Sequence, residues 1–148
     1  MSSAKRRVTK AQYETLASFR YALRLFLRFS EDAAKSVGLT PQQHQALLAI
    51  KGFPGRDSVS VGELAERLQL RHHSAVGLID RLSALDLLQR QPSDQDRRQV
   101  DISLTAKGEK LLETLSTTHH SQLEKVAPHI TGLLEQLTRS GQDVVGKM

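Results

Sequence analysis

Between Ser60 and Leu104 the spacing of apolar residues changes from helical to alternating, and this order constrains the chain more than any other feature. Ser60-Val61-Gly62-Glu63 is a capping box: a serine oxygen accepts a helix amide while the glutamate reaches back to the serine amide. It opens a short helix, about Val61 to Leu68, that packs Val61, Leu64, Ala65 and Leu68. Gln69-Leu70-Arg71 fits a turn. A second helix is expected from about His72 to Leu87, with Val76, Ile79, Leu82 and Leu85 facing inward. The period then falls to two. Val100, Ile102 and Leu104 alternate with Asp101 and Ser103 as a half-buried strand, and Leu87 to Gln91 is the expected partner. Pro92 and the loop Ser93-Asp94-Gln95-Asp96-Arg97-Arg98 separate the two strands. A helix fits the major groove of duplex DNA, and an arginine-tipped hairpin beside it fits the narrower minor groove.

The flanks are helical. Residues 1–8 read as a basic arm. A long helix is expected from about Lys10 to Val37, carrying Leu16, Phe19, Leu23, Phe26 and Leu27, with Gly38 as its stop. Thr40, Pro41 and Gln43 mark a second capping box ahead of Ala46, Leu47, Leu48 and Ile50, and Gly52-Phe53-Pro54-Gly55 ends that helix. After the hairpin, Thr105 caps a last long helical region with Leu112, Leu115, Leu123 and Val126. Pro128 is expected to break or kink it, because proline lacks the amide that a helix interior needs. A further helix with Ile130, Leu133, Leu134 and Leu137 runs to about Arg139. The fold expected is mainly α with a small β-hairpin wing. Residues 1–148 form one domain: 40–105 is the winged part, and 1–37 and 106–148 are long terminal helices. Those ends carry an apolar stripe with no evident partner in so small a domain, so dimerisation is expected.

Charge agrees with a nucleic-acid partner. Lys and Arg outnumber Asp and Glu by 21 to 16, a formal net charge of +5. Two Tyr, four Phe and no Trp argue against a platform that stacks single-stranded bases. The chain has no cysteine, which closes disulfide, thiol-redox and thiolate-metal chemistry. No apolar run is long enough to span a membrane and the start is polar, so a cytoplasmic protein is expected. No Gly-rich phosphate loop, metal-spaced His-Glu pair or nucleophile motif is present, so neither catalysis nor a cofactor or metal is expected.

A helix-turn-helix places the N-terminal side chains of its second helix on base edges. Here those are Arg71, His72, His73 and Ser74, with Gly77 one turn further. His72 and His73 are a poor metal pair, since neighbours on a helix point about 100° apart. Charged hairpin loops are commonly just solvated turns. In this one Asp94 and Asp96 are expected to pair with a neighbouring arginine and stiffen the loop, leaving at least one guanidinium for a narrow minor groove.

Three segments together, Ser74-Ala75-Val76-Gly77-Leu78-Ile79-Asp80-Arg81-Leu82, Gln91-Pro92-Ser93-Asp94-Gln95-Asp96-Arg97-Arg98 and Val100-Asp101-Ile102-Ser103-Leu104-Thr105-Ala106-Lys107-Gly108, resemble the MarR family of transcriptional regulators. The Thr40-Pro41-Gln42-Gln43 helix start and the long flanking helices match the same layout. The resemblance implies a homodimeric, sequence-specific regulator, a repressor released by a small effector, whose two heads meet a pseudo-palindromic operator. It also implies roles: Ser60 on a phosphate, Arg71 to Ser74 and Gly77 along the recognition helix, Arg81 supporting that helix or reaching a phosphate, and Arg97 and Arg98 in the wing. Two positions depart from the family pattern. Arg71 stands where a capping Asp or Ser is common, and arginine is unfavourable beside the positive end of a helix. Gly77 stands where a larger polar residue is common.

Family members usually take small aromatic or anionic molecules between the dimer helices and the reading head. Arg20, Arg24 and Arg28, at successive i,i+4 positions, form with His44 a candidate basic edge for such an effector; a solvated face balanced by Glu31 and Asp32 is the plainer alternative. The rival to the whole reading is a helical protein-interaction module without specific DNA binding, which accounts for the amphipathic ends but not for the wing.

Overall fold

A computed structural model describes residues 7–145, with side chains through Arg139. Five helices and three strands follow in the order α1 (Lys10–Ser36), α2 (Pro41–Lys51), β1 (Ser58–Val59), α3 (Val61–Leu68), α4 (His72–Ala84), β2 (Leu88–Pro92), β3 (Val100–Leu104) and α5 (Ala106–Val145). The arm expected at residues 1–8 lies mostly outside the described residues. The chain divides into two units, Glu31–Thr118 and the combination of residues up to Ser30 with those from His119 on. Helices α1 and α5 contribute to both.

The middle unit has a closed apolar core. Leu47, Ile50, Val59, Leu64, Leu78, Ile79, Leu82 and Ile102 are its largest fully buried side chains. They come from α2, α3, α4 and the sheet, so one core fixes the helix pair and the hairpin together. Both capping boxes form. Thr40 Oγ1 accepts from Gln43 N at 3.1 Å and Ser60 Oγ from Glu63 N at 3.2 Å, with the return bonds in place. Gly38 ends the first helix at φ +80°, a conformation that favours glycine.

The sheet is antiparallel in the order β1-β3-β2. Ile102 sits opposite Val59 on one side and Arg90 on the other. The two-residue strand β1 was not expected. Pro92 does not separate the strands: it is the last residue of β2, opposite Val100, on an edge strand where a missing amide is tolerated. Helix α4 is shorter than expected and rotated in its burial. Ala75, Leu78, Ile79 and Leu82 face the core, Val76 is half-buried, and Leu85 is 44 % exposed. The chain leaves the helix at Asp86, φ +60°, so Leu85 belongs to the turn and Leu87 turns inward in its place.

The start of α5 explains the Leu-Thr-x-x-Gly step. Thr105 Oγ1 accepts from Gly108 N at 3.0 Å and donates to the Asp86 carbonyl at 2.7 Å, while Thr105 N donates to the Leu87 carbonyl at 3.1 Å. The helix therefore lies against the backbone of the turn after α4. A Cβ on Gly108 would fall 2.2 Å from the Leu87 oxygen, so only glycine fits. Lys51 adds an outer tie, bonding Glu109 at 2.8 Å with Asp57 at 3.6 Å; the hydrogen bond to Glu109 is the main cause of its raised pKa.

In the other unit α1 and α5 run antiparallel. Thr15 bonds Gln136 at 3.3 Å near one end, and Ser30 meets His119 Nε2 at 2.8 Å near the other. Phe26 and Phe29 present themselves edge-on to the His119 ring at 6.1 and 5.5 Å between centroids. Leu133 and His119 are its buried side chains among those described. Pro128 lies inside α5 and does not end it. The residue is exposed, so water can satisfy the carbonyl that its missing amide leaves free.

Candidate nucleic-acid interface

The candidate interface is built on α3, α4 and the β2–β3 hairpin, all within the middle unit. Helix α3 ends at Gln69, which adopts a left-handed φ of +54°. Leu70 N then bonds the Ala65 carbonyl at 2.8 Å. This closes the turn in two residues and aims the start of α4 away from the core. Arg71 is the residue at the head of α4, and it makes no side-chain cap. Its carbonyl instead accepts from Ser74 N and Ala75 N, both at 3.1 Å. Arg71, His72, His73 and Ser74 are all exposed, with their polar atoms free to meet an acidic surface.

Ser60 is half-buried, and its Oγ already accepts from Glu63 N. The hydroxyl hydrogen remains available, since a serine both donates and accepts. Behind it Arg56 pairs with Glu63, and the Arg56 and Arg67 guanidinium groups lie over the Phe53 ring at 4.5 and 4.9 Å. This cationic stack was not anticipated. Its members lie between Phe53 and Arg67 but carry no motif.

Gly77 is half-buried on α4, and the Arg81 guanidinium lies beside it: a Cβ at Gly77 would be 3.5 Å from Arg81 Nη2. The neighbouring Asp80 pairs with Arg90 of β2. This bond ties the middle of α4 to the base of the hairpin. Sequence reasoning missed it, because Asp80 and Arg90 belong to elements whose relative placement only the core decides.

The wing loop is ordered by its own backbone. Ser93, 8 % exposed, donates its amide to the Gln99 carbonyl at 2.9 Å, and its Oγ accepts from Gln95 N at 3.3 Å. Asp96 Oδ1 accepts the Arg98 amide at 3.0 Å, and the Asp96 carbonyl accepts Gln99 N at 2.9 Å. The expected pairing of Asp94 or Asp96 with an arginine is not made. Among the described residues no ion pair involves Arg97 or Arg98. Asp96 stiffens the loop through a backbone amide, as aspartate does in turns, and both guanidinium groups are left exposed.

The remaining candidates lie elsewhere. Arg20, Arg24 and Arg28 are exposed on α1, and His44 is 4 % exposed within α2. A groove of about 730 Å³ lies along the ends of α1 and α5, lined by residues including Thr15, Ser18, Leu133 and Gln136; none of the basic candidates lines it. No group of three or more His, Asp or Glu side chains placed to hold a metal occurs among the described residues. No described helix is long and apolar enough to cross a membrane.

Residues 37–99, which span α2 to the wing, match the sequence model of the MarR family. The chain is 29 % identical over 134 residues to the HTH-type transcriptional repressor MdtR of Bacillus subtilis, covering 80 % of this chain and 83 % of that protein. Its fold is similar to that of a MarR family protein from Bacillus stearothermophilus, with a TM-score of 0.71 at 21 % identity, covering 94 % of this chain and 99 % of the other. It is also similar to a variant of MepR from Staphylococcus aureus bound to an oligodeoxyribonucleotide, with a TM-score of 0.63 at 20 % identity, covering 95 % and 99 %. The sequence match runs from α2 through the wing loop, and the shared fold extends over nearly the whole chain: over residues 37–99 the chain is similar to the MarR family, and its fold is that of MarR family proteins.

Proposed function

We propose that the protein is a transcriptional regulator that binds duplex DNA sequence-specifically as a homodimer. The observation that carries this is the join between α4 and the wing. A shared apolar core, with the Asp80–Arg90 pair at its edge, holds an exposed basic helix start and two unneutralised arginines, Arg97 and Arg98, on one support. A major-groove helix and a minor-groove hairpin need that fixed spacing. In this reading Arg71, His72, His73 and Ser74 meet base edges and nearby phosphates. Ser60 donates its hydroxyl to a phosphate at the start of α3, where the helix dipole already favours an anion. Arg97 and Arg98 serve the minor groove. The terminal segments, residues 1–37 and 106–148, join two copies, so that 40–105 of each addresses one half of a pseudo-palindromic operator.

The related MdtR is named a repressor, and the related MepR structure contains DNA, which supports repression by operator binding. Release by a small aromatic or anionic effector completes the proposal. Such a protein works in the cytoplasm and catalyses nothing. Its test is a gel shift of the purified chain on the DNA upstream of its own gene, at moderate salt. A shifted band that survives excess random duplex is expected. Retardation no greater than on random DNA would sink the reading and favour a helical protein-interaction module.

A further inference from the structure

The outward face of α4 has a gap in its middle. His73, Gly77, Asp80 and Ala84 recur at helical spacing opposite the buried Ala75, Leu78, Ile79 and Leu82. Gly77 leaves the centre of that face without a side chain. The Arg81 guanidinium fills the space: its Nη2 lies 3.5 Å from where a Cβ on residue 77 would stand. Long helical side chains lean toward the N-terminus and over the residue four back. Arg81 therefore carries its charge back by about one turn, roughly 5.4 Å, toward the half of the helix that bears Arg71 to Ser74.

The charges around Arg81 leave it unneutralised. Asp80, its neighbour in sequence, is engaged by Arg90. Among the described residues no carboxylate pairs with Arg81. An exposed guanidinium with its donors unspent, held over the centre of a recognition face, has the chemistry to grip guanine through O6 and N7. A phosphate role would instead place it at the rim of the helix, away from the gap.

We propose that Arg81 is a specificity-determining residue that reads one guanine per half-site through the space left by Gly77, replacing the contact that a side chain at position 77 would make. This rests on the reading of α4 as the recognition helix. Gly77 and Arg81 then act as a pair, a small residue at position 77 being required for the arginine to reach.

The test is selection of the full chain on a random duplex library, followed by binding titrations on the selected duplex. The wild-type profile is expected to fix a guanine at one position of each half-site. Arg81→Ala should lose that guanine and keep the rest of the profile, with affinity for the selected site falling on the order of 10- to 100-fold. Arg81→Lys, which keeps the charge without the forked donors, should lose the guanine preference too. Replacing that guanine by 7-deazaguanine should weaken the wild type and leave Arg81→Ala unchanged. Gly77→Gln should abolish the same preference with Arg81 present, whereas Gly77→Ala, whose Cβ makes only an ordinary contact, should retain it. An Arg81→Ala variant that folds, keeps the full profile and binds every duplex more weakly by one factor would overturn the proposal and leave Arg81 on a phosphate. A wild type that selects no sequence would overturn the regulator reading itself, and this inference with it.

Discussion

The two units of the chain handle their apolar residues in opposite ways. In the middle unit Leu47, Ile50, Leu64, Leu78, Ile79, Leu82 and Ile102 are almost wholly removed from water. In the terminal unit α1 turns Phe19, Ala22, Phe26 and Phe29 partly inward but leaves Tyr13, Leu16, Leu23 and Leu27 exposed along the adjoining row. Leu123 and Leu134 of α5 are exposed as well. A row of exposed apolar side chains of this kind marks an interaction surface. The middle unit can therefore hold its own shape, while the terminal unit lacks a covering. In a regulator that binds a two-fold site, a second copy supplies both the covering and the second reading head.

The largest effect should come from charging the exposed row. Leu23→Glu with Leu27→Glu would bury unpaired carboxylates in any interface built there, at several kcal/mol each. The dissociation constant for self-association is expected to rise by roughly 1,000-fold or more, with little change in helical circular dichroism. Sedimentation equilibrium checks this; equal masses for variant and wild type would remove the contrast between the units. The opposite pattern is expected in the middle unit. Leu82→Ala should cost about 2–5 kcal/mol of unfolding free energy, and Gly108→Ala about 1–3 kcal/mol from the clash with the Leu87 carbonyl. Both are read from urea titrations at fixed protein concentration. Losses near zero would mean that the middle unit yields at these contacts rather than being fixed by them.

Local chemistry was legible in the sequence, and placement was not. The boxes at Thr40–Gln43 and Ser60–Glu63 are complete within four residues, so the chain announces them. The Thr105 cap and the alternation through Ile102 and Leu104 are equally local, although Val100, expected on the same buried face, is 45 % exposed. Strand β1 escaped notice because its two residues gain strand character only by pairing with Ile102 and Ser103, far along the chain. Leu85 was misassigned because helical periodicity was extended past Asp86, where the backbone turns left-handed. Pro128 does not break α5: its cost is one amide and a ring clash, which a long helix can accommodate where the residue is exposed. In the candidate interface, the residue types were readable but their pairing was not. Asp96 takes the Arg98 amide rather than a guanidinium, and Arg90 takes Asp80 across two elements. Charges choose partners by distance, and distance here is set by the core.

The wing should separate DNA affinity from both of the effects above. Arg97→Ala with Arg98→Ala removes exposed charges that make no ion pair among the described residues, so neither self-association nor unfolding free energy should move beyond about 0.5 kcal/mol. Affinity for a specific duplex is expected to fall on the order of 10-fold. The slope of log affinity against log salt should flatten by about 1 for each arginine that touches DNA. Fluorescence anisotropy from low to moderate salt measures both. An unchanged slope would mean that the hairpin stands clear of the duplex, leaving α4 alone as the contact.

The smallest effect sits at the turn that joins α4 to the sheet. Asp86 holds φ at +60°, and its carbonyl accepts the Thr105 hydroxyl. Glycine adopts that backbone without the Cβ penalty, although it also gives the unfolded chain more freedom. The carbonyl bond is kept in either case, because it belongs to the backbone. Asp86→Gly should therefore raise stability by about 0.5 kcal/mol, seen as a small upward shift of the urea midpoint with the slope of the transition unchanged. Association and DNA affinity should stay as they are, since the residue is exposed and lies off both the α1 row and the α4 face. A loss of stability would show that the carboxylate supports the turn. The strength of the middle unit would then rest partly on a polar contact at its edge, and the division between a self-sufficient core and a partner-dependent pair of helices would be less sharp.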